Sequence, residues 1–199
     1  MKLYDTMIDL LADAKDRERK IRFIDGADKE SILRFDELWE EALSLLGSLQ
    51  ARGMKPGDEL IIFSTSNKSF VVAFWAAILG GIVPVPVAVG ISDEHKLKLF
   101  RILSQLEHPT LFTEMDLLQR LLDFAKEREL PKIADLLDTH AVLMSDVKPG
   151  THGAIQDVRQ DDIGFIQYSS GSTSDPKGIV LTHRNLCVNI RAIVEGFDW

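Results

Sequence analysis

From Ser69 to Ser92 the chain carries no charged residue. Such a run has to be buried, in lipid or in protein, because apolar surface left in water costs about 25 cal/mol per Å². It is long enough to span a bilayer. Gly80, Gly81, Pro84 and Pro86 fall inside it, however, and each proline lacks an amide donor and fixes φ, which spoils a single spanning helix. A buried helix followed by a buried strand fits better. Glu59 to Ser64 (ELIIFS) reads as a strand, and Ser66 or Asn67 caps a helix that runs through Val71, Val72, Phe74, Trp75 and Ile78 to Leu79. Gly80-Gly81 stops that helix, and Ile82 to Val89 is a second strand. Strand, apolar helix, strand in so short a span is a βαβ unit, which predicts a parallel sheet covered on both faces.

The pattern extends in both directions. Leu38, Ala42, Leu45, Leu46 and Leu49 recur at helical spacing between Phe35 and Gly53, with Asp36 at the expected cap. Lys55-Pro56-Gly57-Asp58 is turn chemistry. Further on, Asp93–Leu106 and Asp116–Arg128 read as helices, Thr110–Thr113 and Ala141–Met144 as short strands, and residues 145 to 162 as a loop. No internal repeat emerges. The fold class is therefore α/β, a largely parallel sheet flanked by helices.

Composition excludes several functions. In 199 residues, 45% hydrophobic and 27% charged content is that of a soluble globular protein. A net charge of -8 disfavours nucleic acid and anionic membrane as partners. The N-terminal residues, with acids scattered through them, form neither a secretory signal nor a transit peptide. A lone cysteine, Cys187, allows no internal disulfide and suits a reducing cytoplasm; it reads as a small apolar helix residue rather than a nucleophile. His95, His108, His140, His152 and His183 show no metal-ligand spacing, so no metal-binding residue is expected.

Function is concentrated in residues 163 to 194. Ile163 to Tyr168 reads as a strand, Ile179 to Leu181 as another, and Thr182 caps a helix through Val194. Between the strands lies Ser169-Ser170-Gly171-Ser172-Thr173-Ser174-Asp175-Pro176-Lys177-Gly178. Ser/Gly/Thr/Pro clusters commonly mark idle surface turns. Here the string is ordered and set between apolar strands. Gly171 and Gly178 permit a tight backbone with amides turned to an anion, five hydroxyls can donate, and Lys177 brings a compact charge. It is not the P-loop of nucleotide triphosphatases, which needs glycine before its lysine and Ser or Thr after it; Pro176 and Gly178 stand there instead.

The segment YSSGSTSDPKGIVLTHRNL resembles the phosphate loop of the adenylate-forming superfamily: acyl-CoA synthetases, adenylation domains of peptide synthetases, luciferases and fatty acyl-AMP ligases. Phe35 to Asp58 and Ser66 to Pro86 are similar to earlier patterns of the same family. The resemblance implies ATP and Mg2+, a carboxylic acid converted to acyl-AMP, and β- and γ-phosphates embraced by Ser169, Ser170, Gly171, Ser172, Thr173 and Lys177, with Ser174 and Gly178 completing the loop. Ser174 stands where most members have glycine; with Phe165-Ile166-Gln167-Tyr168 it leans toward fatty acyl-AMP ligases, which hand a fatty acyl group to the phosphopantetheine arm of an acyl carrier protein in polyketide, nonribosomal peptide or lipid synthesis. An amino-acid adenylation domain, an acyl-CoA synthetase using CoA, and a catalytically silent nucleotide- or partner-binding chain are the alternatives. The family's adenine, ribose, magnesium-linked and lid-lysine residues come after the loop. Residues 1 to 199 are accordingly expected to be a truncated first part of the large N-terminal domain, without its C-terminal part or lid domain, inactive alone, with no assignable catalytic residue. Its cut surface is expected to favour a homodimer.

Overall fold

The computed structural model describes residues 3–24, 30–90, 92–148, 150–169 and 175–196. In chain order the elements are α1 (Met7–Ala14), β1 (Lys20–Ile24), β2 (Glu30–Arg34), α2 (Phe35–Ala51), β3 (Glu59–Ile62), α3 (Asn67–Leu79), β4 (Val83–Pro86) and α4 (Asp93–Gln105). There follow β5 (Pro109–Thr113), α5 (Met115–Glu127), α6 (Pro131–Thr139), β6 (Ala141–Leu143), β7 (Ile163–Ser169), β8 (Lys177–Thr182) and α7 (His183–Gly196).

Four strands form the expected parallel sheet, in the order β4-β3-β5-β6. Side chains alternate across it as the pleat requires. Leu60, Ile62, Phe112 and Val142 enter a core with α1, α2 and α3, while Ile61, Phe63, Leu111, Ala141 and Leu143 enter a second core with α4, α5 and α6. The sheet is thus buried on both faces, which is why its strands read as unbroken apolar runs. No helix among the described residues is long and apolar enough to cross a membrane.

Ser66 rather than Asn67 caps α3, its hydroxyl accepting from the Ser69 amide at 3.2 Å. At α2 the expected cap is corrected. Arg34 is the N-cap residue and its amide donates to the Glu37 carboxylate at 2.9 Å; Asp36 binds the Arg34 guanidinium instead. A carboxylate three residues into the helix can reach back to that amide, whereas Asp36 is already inside the first turn.

The strand expected over Ile82–Val89 is only Val83–Pro86, at one edge of the sheet. The amides of Val83 and Val87 donate to Asp58 and Ile62 on the β3 side. Positions turned the other way are Pro84 and Pro86, which have nothing to donate, and edges are where a sheet tolerates proline. β7 lies along that outer side of β4 without joining its ladder. It pairs instead with β8, antiparallel. A donorless edge explains why the hairpin is a separate two-stranded sheet.

The segment before β7, expected to be a loop, is strapped to α2 and to the end of α3. Gly153 N donates to Leu43 O at 2.9 Å, Gln50 and Ala154 exchange two bonds of 2.8 Å, and Gln156 N donates to Leu79 O at 2.8 Å. Gly47 of α2 makes room for it: a Cβ there would stand under 3.0 Å from the Thr151 carbonyl oxygen.

Candidate functional site

The motif folds as a β-hairpin with register Ser169↔Lys177, Tyr168↔Gly178, Gln167↔Ile179, Ile166↔Val180 and Phe165↔Leu181. Ser169 and Lys177 therefore face each other at its mouth. Ser170, Gly171, Ser172, Thr173 and Ser174 lie outside the described residues. Pro176 is buried beside the mouth, and Lys177 is exposed with no ion-pair partner among the described residues. Gly178 stands within β8, not in the turn. A Cβ there would meet Ile166 Cγ2 at 3.1 Å and Tyr168 Cζ at 3.2 Å, so glycine leaves room for the tyrosine ring across the strands.

The hairpin is anchored on three sides. Phe165 meets Phe74 of α3 edge to face, with centroids 5.9 Å apart, a geometry that adds to simple burial. Ile166 and Tyr168 pack against the second core. Burial, with the charge of Glu59 assisting, pushes the Tyr168 hydroxyl above its ordinary pKa; it stays a neutral phenol. At the far end a bulge at Gly164 lets β7 approach α7, where a Cβ would meet Leu186 Cδ1 at 2.9 Å and His183 N at 3.2 Å.

Thr182 caps α7 as expected: Asn185 N donates to its hydroxyl at 3.2 Å, and the Asn185 side chain accepts from Thr182 N at 3.0 Å. Cys187, on that helix, is half-buried, and burial raises its pKa, which keeps it a thiol rather than a thiolate nucleophile.

Two clusters escaped sequence reasoning. The Glu114 carboxylate accepts from Ser64 Oγ and, at 3.3 Å, from Thr65 N, which joins the ends of β3 and β5 where the strand order reverses; nearby, Thr113 Oγ1 is buried with no partner among the described residues. The other is His183, buried to 1% exposure, whose Nδ1 accepts from Met7 N at 3.2 Å. The apolar strand before Ser64 is the signal that could have marked the first. No local signal marks a bond across so much sequence.

The model of the AMP-binding enzyme family matches residues 10–198. Among curated proteins, the chain is 26% identical to the medium-chain-fatty-acid–[acyl-carrier-protein] ligase JamA of Moorena producens over 98% of this chain and 34% of JamA. It is 29% identical to the peroxisomal OPC-8:0-CoA ligase 1 of Arabidopsis thaliana, over 89% of this chain and 33% of that one. Among solved structures, McyG A-PCP complexed with phenylalanyl-adenylate superposes with a TM-score of 0.88 at 23% identity, covering 100% of this chain and 36% of that one. The chain spans about a third of the length of these proteins.

Proposed function

This chain belongs to the AMP-binding enzyme family, the adenylate-forming enzymes, and we propose that it supplies the ATP-phosphate-binding hairpin of a ligase that activates a fatty acid as acyl-AMP. One observation carries the reading: Lys177 and Ser169 face each other across a firmly anchored mouth, and the lysine is exposed with no ion-pair partner among the described residues. An uncommitted cation beside hydroxyls fits a polyphosphate.

In the proposed reaction a carboxylate oxygen bonds to the α-phosphorus of ATP. The bond to the α–β bridging oxygen breaks, and pyrophosphate leaves with the electron pair. Lys177, Ser169 and the hydroxyls of Ser170, Ser172, Thr173 and Ser174 offset charge on the β- and γ-phosphates, and glycine at 171 lets the backbone approach. Mg2+ is proposed to arrive with ATP on its phosphates. A carrier-protein phosphopantetheine thiol then displaces AMP from the acyl carbonyl. The similarity to JamA, together with Ser174 and Phe165-Ile166-Gln167-Tyr168, supports that acceptor. Similarity to a CoA ligase supports a second reading, in which CoA takes that place. A cytoplasmic setting belongs to the same proposal.

Titration calorimetry with MgATP on this chain and on Lys177→Ala tests the loop. Removing a charge-assisted bond of about 1.5–3 kcal/mol should weaken binding roughly ten- to hundred-fold. Equal affinity in the two proteins would refute the role given to Lys177. The chain alone is expected to show no fatty-acid-dependent pyrophosphate exchange, and exchange above a loop-deleted control would overturn that.

A further inference from the structure

His183 is an unusual residue to bury, and its surroundings define one protonation state. It follows β8 directly and opens α7. Its backbone N donates to Asp162 O at 3.1 Å, and the next amide, Arg184 N, donates to Gln160 O at 2.7 Å. The Arg184 guanidinium holds Asp161 by two bonds, 2.9 and 3.0 Å. The strand entry before β7 and the strand exit after β8 are thereby fixed to each other.

The ring of His183 carries the same fixation to the other end of the chain. Met7 is the first residue of α1, and the first amides of a helix have no partner within it. Thr6 serves the Asp9 amide at 3.2 Å, and Asp9 Oδ2 accepts from Thr6 N at 3.0 Å. The Met7 amide goes to His183 Nδ1. For Nδ1 to accept, it must be bare, so the single proton sits on Nε2. A second proton would set two donors face to face and add a buried charge.

We propose that His183 is a positioning residue, whose neutral imidazole ties the first turn of α1 to the base of the phosphate-loop hairpin, and that acid frees the hairpin by protonating it. The charged groups around it are Asp9 on α1 and Asp162 before β7, which both favour the charged ring. Asp161 is engaged by Arg184, Arg159 donates its amide to Asp162, and Asp5 bears on Cys187. Burial outweighs the carboxylates and holds the imidazole below its ordinary pKa. The unfolded chain therefore takes up the proton first. The contribution to stability is complete above about pH 6.5 and drains away as pH falls toward the folded-state value.

The test is amide hydrogen exchange in wild type, His183→Asn and His183→Ala, at about pH 7.5 and about pH 4.5, above and well below the unfolded imidazole's value, because the folded ring takes up its proton later. Asn places an oxygen where Nδ1 stands and does not titrate. Expected protection at Met7 and through the β7–β8 ladder is lost on acidification in wild type, kept at both pH values in the Asn variant, and absent at both in the Ala variant. Acid-insensitive protection in wild type, or the same acid sensitivity in the Asn variant, overturns the proposal. A readout without any variant is the ring's own NMR titration: its midpoint should coincide with loss of Met7 protection, and separate midpoints sink the clamp. The consequence for ligand rests on the phosphate-loop reading, so MgATP affinity should fall with acid more in wild type than in the Asn variant. No MgATP binding at any pH would refute that reading, while the exchange data still decide the clamp.

Discussion

Replacing Gly47 by alanine sets two effects against each other, and the structure says which wins. Gly47 sits inside α2, where glycine costs about 0.5–1 kcal/mol relative to alanine. Helix propensity alone therefore expects Gly47→Ala to stabilise. The added Cβ, however, would stand under 3.0 Å from the Thr151 carbonyl oxygen and 3.1 Å from Gly153 N. Those are backbone atoms, which cannot swing aside like a side-chain tip. The connector must move, and the bond from Gly153 N to Leu43 O, 2.9 Å long, lies at the point of displacement. Overpacking costs about 1–3 kcal/mol, and a lost hydrogen bond adds about 0.5–1.5 kcal/mol. The net expectation is a destabilisation of about 0.5–4 kcal/mol, at roughly 2–4 °C of Tm per kcal/mol in a chain of this size. Urea unfolding followed by circular dichroism reads it as a lower midpoint at unchanged slope. Gly153→Ala, whose Cβ would meet Gly47 N at 2.6 Å, should act in the same direction, and the double variant should cost less than the sum, because both relieve themselves by moving one strap. A raised midpoint in Gly47→Ala would refute the packing argument and hand the position back to helix propensity.

Two further outcomes concern the hairpin. A double-mutant cycle on Phe74 and Phe165 should give a coupling of about 0.5–1.5 kcal/mol from their edge-to-face contact; additive costs would show that the rings are mere neighbours. Ile179, Val180 and Val188 are half or more exposed, and β8 pairs only with β7 among the described strands. We therefore expect the chain to associate as a two-fold dimer, and a constant mass near 22.3 kDa across a light-scattering concentration series ends that idea.

The readable part of the fold was the part buried on every side. From Glu59 to Pro86 the chain runs strand, helix, strand, with Ser66 capping the helix and Gly80-Gly81 ending it, and burial on both faces of the sheet leaves the strands almost free of polar residues that would blur the pattern. The elements that escaped notice bury little. In β1 no residue is fully buried, in β2 only Leu33 is, and in α6 only Leu137. Pro131 at the start of α6 was a legible start signal, but a nine-residue helix offers little periodicity to confirm it. Around the motif, the cap at Thr182 was legible because its partner Asn185 is three residues away, and the strand, turn, strand order was legible because the polar string sits between two apolar runs. Gly178 was readable as necessary, but for a different reason, since its neighbour Tyr168 comes from the opposite strand. His183 was opaque for the strongest form of that reason: its partner is the seventh residue of the chain.

These long-range ties bear on the proposal that a short loop recognises phosphate. A flexible loop gains nothing from well-chosen donors if ordering it on binding costs about 1–2 kcal/mol per residue in backbone entropy. Fixing both ends beforehand removes part of that cost. Here Ser169 and Lys177 are held by a ladder whose own position depends on Phe74, on the second core beneath Tyr168, on the strap across α2, and on the His183 contact to α1. The donorless Pro84–Pro86 edge of the main sheet leaves those anchors to do what a continuous ladder would otherwise have done. If the hairpin holds phosphate as proposed, substitutions away from its mouth, at Gly47, Phe165 or His183, should change MgATP affinity through the position of the mouth, whereas Lys177→Ala should change affinity while leaving stability within about 0.5 kcal/mol, the usual limit for an exposed residue without structural partners.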